Sequence, residues 1–163
     1  MPRALTASVL ASLLLTGAIF GFFYAWVCST MWGLDAADPR VAIAAMQAMN
    51  ASVRNAVFFP AFFLTPAILA LTAFLAHRRS VAAAFLFGGA AVVYLCGGLI
   101  LTMTINVPMN EALATRAVPE DAAVAAALWA EYSDPWQLWN QIRTGFSGVT
   151  LLLAGLGTLR LSP

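Results

Sequence analysis

The sequence predicts an all-α fold, an integral membrane four-helix bundle with short extra helices in its two outer loops. Three observations carry this. Of the 163 residues, 62% are hydrophobic and only 9% are charged, against about 25% charged in an ordinary soluble domain; so few charges cannot cover a soluble globule. The apolar residues fall into four runs, each near the roughly 20 residues a helix needs to cross a bilayer. The acids are not scattered either, because all seven lie in two connections and their flanks. Disorder is excluded by the same apolar content. No repeat divides the chain, so residues 1–163 read as a single transmembrane domain.

Each element follows in order. From Ala4 to Leu34 there is no charged side chain. That run is too long for the apolar part of a signal peptide, so it reads as a retained first span, about 5–30. Asp38-Pro39 then places a capping acid before a proline that suits the first helical position. The segment PRVAIAAMQAMNASVRN reads as a short helix leading into the second span, about 55–76. Pro60 and Pro66 are expected to kink that span and to need neighbours or water for the carbonyls they free. A third span, about 81–106, carries FGGAAVVYLCGG, whose small residues permit close helix approach. PEDAAVAAALWAEY, with acids in its first turn, reads as another short helix. Asp134-Pro135 repeats the cap-and-proline signal and opens the fourth span, about 136–160.

Charge placement predicts orientation. All eight basic residues are arginines. Arg3, Arg78, Arg79 and Arg160, with His77, lie in short segments at one end, whereas Arg40, Arg54, Arg116 and Arg143 share the other end with the acids. The rule that positive loops stay inside then expects cytoplasmic N- and C-termini in a bacterial inner membrane. There is no basic stripe for nucleic acid. Cys28 and Cys96 lie in apolar runs and read as buried thiols or as a pair meeting between spans. No histidine pair or Cys/His cluster has metal-ligand spacing. No phosphate-binding glycine loop and no intramembrane carboxylate marks a nucleotide enzyme or a proton-coupled pump. No cofactor is predicted on these grounds, and a metal or haem is left open.

Polar residues gather in three segments. Gln47, Asn50 and Arg54 are spaced three and four apart and share one helix face. Asn106 and Asn110 close the third span, with Glu111 beside them and Pro108 between. Trp136, Trp139, Asn140 and Arg143 form one stripe at the start of the fourth. Topology brings all three to the outer mouth of the bundle. Each has a plain structural reading too: tryptophans belong to interfacial belts, amides bridge helices, and Arg54 or Arg143 can pair with Glu111 or Asp134.

The segments MQAMN, TINVPMNEAL and WAEYSDPWQLWNQIRT, in that order, resemble the anthrone oxygenase-like family of small four-span membrane proteins. By that resemblance Gln47, Asn50, Asn106, Asn110, Trp139, Asn140 and Arg143 match motif positions. Characterised fungal relatives oxidise anthrones to anthraquinones with molecular oxygen. The resemblance thus implies an oxygenase acting on a flat apolar phenolic or polyketide-like substrate. An anthrone needs only to lose a benzylic proton to become an electron-rich enolate, so no metal is obligatory. Donors placed where charge develops would stabilise that anion; Arg143, Asn140 and Asn106 are the candidates, with Arg54 in support. Trp136, Trp139, Phe58 and Phe59 are expected to hold the rings, with Gln47, Asn50 and Asn110 around them. Glu111 is the candidate base, while Glu131, Tyr132 or a water beside Arg143 stay open.

The expected partners are the lipid bilayer, an apolar small-molecule substrate and oxygen, with a homo-oligomer left open. The rival reading is a non-enzymatic binder of lipid or quinone, or an accessory subunit. An enzyme needs a closed apolar slot with donors at one end, whereas helix glue pairs those groups internally and leaves no cavity.

Overall fold

The computed structural model describes residues 1–161. Helix α1 spans Arg3–Asp35, α3 Phe58–Ala76, α4 Val81–Ala114 and α5 Ala122–Leu159; all four are long and apolar enough to cross a membrane. The short α2, Pro39–Ser52, joins α1 to α3. Among the described residues there is no strand. The caps are legible chemistry. Asp38 accepts from the Arg40 amide at 2.9 Å to start α2, Ser80 accepts from Ala83 to start α4, and Asp121 accepts from Ala123 and Val124 to start α5.

The four long helices form a ring in which α1 packs on α3, α3 on α4, α4 on α5, and α5 back on α1. Residues 77–80 link α3 to α4 at one end. At the other, the connection end, α2 packs across α4 and α5. Lipid supplies no hydrophobic drive between helices, so close packing and buried hydrogen bonds must hold them. Ser12 and Thr72 bond at 2.9 Å between α1 and α3. Pro66 lacks the N–H that would serve the Phe62 carbonyl, and the Tyr94 hydroxyl of α4 donates to that carbonyl at 2.9 Å. The proline thus becomes a cross-helix tie. Two apolar cores result. One, around Ile19, Phe62, Leu69 and Phe87, fills the middle of the bundle; the other, around Met31, Ile43, Met46 and Trp129, sits beneath α2. Leu14, Phe74, Phe85 and Leu152 are exposed on the outer faces, as lipid contact requires.

Several boundaries differ from expectation. The first span does not stop near 30 but continues to Asp35 through a π-helical stretch, Trp26–Thr30. The second begins at Phe58 because the Asn55 Oδ1 accepts from the Val57 and Phe58 amides and holds a turn there. Pro60 therefore falls in a first turn, where a missing N–H breaks no ladder. The third span runs on through Pro108 to Ala114, after π-helical stretches at Leu95–Ile100 and Thr102–Asn106. The largest departure is α5: Asp134-Pro135 caps nothing, and the expected separate helix and fourth span are one 38-residue helix. Pro135 is exposed, so the bond it forfeits costs least there. Both thiols are free, and Cys96 is exposed instead of buried.

Candidate functional site: an aromatic cavity ending on Arg143

Arg143, on α5, is only 5% exposed. Its Nε donates to Asn140 Oδ1 at 2.9 Å, and its Nη1 to Thr102 Oγ1 at 3.3 Å. The Asn140 amide is itself fixed, donating from Nδ2 to the Phe23 carbonyl of α1 at 3.3 Å. The guanidinium lies over the Phe23 ring at 4.3 Å and near the Trp136 ring at 5.1 Å. Cation–π contact favours a desolvated cation, but it leaves the net charge in place. Among the described residues no carboxylate pairs with Arg143, since the two ion pairs are Arg40–Asp38 and Arg54–Glu111. A guanidinium carries five N–H donors. Nη2 makes no hydrogen bond among the described residues and is not sealed inside protein.

That free edge borders a cavity of about 270 Å³. Small-molecule sites commonly hold about 300–1,000 Å³, so this one lies just below that range. Phe22, Phe23 and Trp26 of α1 line it, as do Phe58, Phe59 and Phe62 of α3 and Trp136 of α5. Arg54 and Glu111 guard its mouth, paired at 3.2 Å with side chains 52% and 59% exposed. Aromatic walls thus run from an exposed ion pair down to an unpaired buried cation.

A second set of polar groups orients the upper wall. Tyr132 Oη and Trp136 Nε1 both donate to Asn110 Oδ1 at 2.8 Å, and Asn50 Nδ2 donates to Tyr132 Oη at 3.4 Å. With its oxygen committed twice, Asn110 keeps its Nδ2 donor for the cavity it lines, and Asn50 keeps an acceptor there.

Of the residues singled out from sequence, Arg143, Asn50, Arg54, Asn110, Glu111, Trp136, Phe58 and Phe59 therefore meet around one cavity. Asn140 stands behind Arg143 and positions it. Gln47 faces elsewhere, its Nε2 donating to the Leu113 and Arg116 carbonyls at 2.9 Å and tying α2 to the end of α4. Trp139 is partly buried and off the cavity lining. Asn106 is fully buried but both its amide atoms lack a partner among the described residues, and it does not line the cavity. Of the three candidate bases, only Glu111 lines the cavity; Glu131 and Tyr132 border a separate pocket of about 210 Å³. Sequence reasoning missed Phe22, Phe23 and Trp26, which read as ordinary span residues, and Thr102. It also missed Asp35, whose oxygens accept from Trp129 Nε1, Ser133 Oγ and Gln137 Nε2, each at 2.9 Å.

Fold and site together define a helical membrane protein with an aromatic cavity whose floor is cationic. The chain belongs to the anthrone oxygenase family, whose profile matches residues 49–153. The match takes in every cavity residue from Asn50 to Arg143. No curated protein and no solved structure matches the chain.

Proposed function

We propose that the protein is a membrane oxygenase that converts a flat, apolar, anthrone-type phenolic substrate to the quinone with molecular oxygen. The observation that carries this reading is Arg143, a buried cation without a carboxylate, aimed into an aromatic cavity. Burying an unpaired charge costs several kcal/mol, a cost retained where the charge meets an anionic ligand or transition state. The tricycle lies between the Phe58 and Trp136 walls, with its oxygen toward Arg143 Nη2 and Asn110 Nδ2. Glu111 takes the benzylic proton. The resulting enolate, stabilised as its charge develops, passes one electron to oxygen; the carbon radical and superoxide combine to a peroxide anion, which takes the proton back from Glu111 to give the hydroperoxide. Loss of the remaining C–H proton and of hydroxide from the O–O bond leaves the ketone. One oxygen molecule is consumed, giving one quinone and one water. The chain supplies binding, proton transfer and anion stabilisation, and oxygen itself is the oxidant. We also assign the end bearing His77, Arg78 and Arg79 to the cytoplasm.

The test is aerobic turnover of anthrone by purified protein, following oxygen uptake and quinone absorbance with and without chelator. Arg143→Lys keeps the charge but loses the planar fork, and kcat/KM falls roughly 10²–10³-fold, as on loss of an oxyanion donor. Glu111→Gln lowers kcat about 10²–10⁴-fold through loss of the base. Equal turnover by wild type and Arg143→Lys would remove Arg143 from the chemistry. Loss of activity on chelation would overturn direct reduction of oxygen by the enolate.

A further inference from the structure

A second space adjoins the cavity. A groove of about 580 Å³ runs between α1 and the start of α3, and Phe22, Trp26, Met49, Val53 and Phe58 line both spaces. The two are therefore neighbours, divided by the Phe22 and Phe58 rings at 4.8 Å between centroids. Farther out the groove is walled by Ala18 and Ala61. Ser52 and Asn55, which also line it, bond to nearby backbone: Ser52 Oγ donates to the Met49 carbonyl at 3.1 Å. Asn55 donates to the Ser52 carbonyl at 2.6 Å and accepts from Val57 and Phe58. An apolar ligand sliding along this groove meets mostly apolar side chains. At the other mouth it would have to pass the exposed Arg54–Glu111 pair and first leave lipid for water, which is unfavourable in proportion to its apolar area. Phe58 is also the first residue of α3, behind Val57, which is 89% exposed. Moving that ring frays one helix terminus and leaves the ring of helices intact.

We infer that the flat apolar ligand reaches the cavity sideways from the bilayer, through the groove between α1 and α3, with Phe22 and Phe58 parting to admit it. This rests on the ligand class proposed above. Ala18 is exposed on α1 and lies in the groove but not in the cavity, so Ala18→Phe narrows the passage and leaves the binding site untouched.

The experiment uses the full chain in phosphatidylcholine vesicles and reads stopped-flow quenching of tryptophan fluorescence. Anthraquinone is delivered within the membrane and anthraquinone-2-sulfonate from the aqueous phase. In Ala18→Phe the association rate for anthraquinone falls about ten-fold, within the spread mutants of one site show. Its dissociation rate falls equally, so equilibrium quenching is unchanged, and the sulfonate's rates do not move. Equal slowing of both ligands, or of neither, overturns the lateral route. Anthrone turnover is followed in the same vesicles. A rate split without turnover removes the oxygenase reading and keeps the passage; turnover without a split removes only the passage.

Discussion

At the scale of single residues, the site is a set of hydrogen-bond commitments that leave chosen groups free. Arg143 spends its Nε and Nη1 on Asn140 and Thr102, so its remaining edge is held for the cavity. Asn106 is different: it is 0% exposed and has both amide atoms unpartnered among the described residues. Leaving buried polar groups unmade costs about 1–3 kcal/mol, and an apolar group of similar shape removes that cost. Asn106→Leu should therefore raise stability by about 1–3 kcal/mol, read as a higher midpoint of unfolding in detergent; a lower midpoint would show that the amide is satisfied in the working protein. Of the periodic stripe Trp136, Trp139, Asn140 and Arg143, a regular helix made three legible as inward-facing, and Trp136, Asn140 and Arg143 are buried, while Trp139 is only partly buried and off the cavity. Asp35 and Tyr132 were not legible as anchors. Asp35 meets donors 94 to 102 residues away, and spacing along one chain segment says nothing about such partners.

At the scale of elements, one dipeptide gave two outcomes. Asp38 caps α2, and its Arg40 guanidinium and amide partners hold the carboxyl down at about 2, below its ordinary 3.8. A depressed folded value stabilises the helix start above the unfolded value, and that contribution disappears as pH falls from 3.8 to about 2. Hydrogen exchange at the Arg40 amide, corrected for its intrinsic rate, should accelerate across that window, and Asp38→Asn should abolish the pH dependence. Asp134 precedes proline in the same way yet sits inside α5, because contacts on both sides of Pro135 override the local signal. Trp129 and Ser133 bond Asp35 before it, and Trp136 bonds Asn110 just after it. Local propensity is a weak prior against such tertiary fixing. The glycine-rich stretch of α4, by contrast, was readable as close approach. A Cβ on Gly97 would come within 2.6 Å of the Phe146 Cβ, an atom that no rotamer change can move. Alanine gains about 0.5–1 kcal/mol over glycine as helix former, whereas overpacking costs about 1–3 kcal/mol, so Gly97→Ala is net destabilising. It also pushes α4 from α5 and stretches the 3.3 Å Thr102–Arg143 bond. The π-helical turns of α1 and α4 had no comparable sequence signal.

At the scale of the whole molecule, the cavity keeps its shape only if packing and hydrogen bonds hold the connection end in register, because lipid supplies no hydrophobic drive to do so. Asp35 does much of this. It is the last residue of α1, and it receives three donors from one face of α5, from Trp129 to Gln137. Those donors span Pro135, so the carboxylate splints α5 across the position where a backbone bond is missing, and it fixes where α1 ends against α5. Phe23 and Trp26 of α1 and Trp136 and Arg143 of α5 are positioned by that same contact. Asp35→Ala strands the indole N–H of Trp129, a residue 6% exposed, and the O–H donor of Ser133, at 2%, whose oxygen keeps only the Gln137 amide. The expected loss is about 1–3 kcal/mol for each such buried group, visible as a lower unfolding midpoint. Its signature is spatial: hydrogen exchange rises in α5 around Pro135 and at the end of α1, while the Ser12–Thr72 and Tyr94–Phe62 contacts in the middle of the bundle keep their protection. Asp35→Asn, which retains acceptor capacity in one oxygen, recovers part of the loss. Uniform acceleration of exchange throughout the bundle would instead mean that the connection end and the bundle middle unfold as one unit.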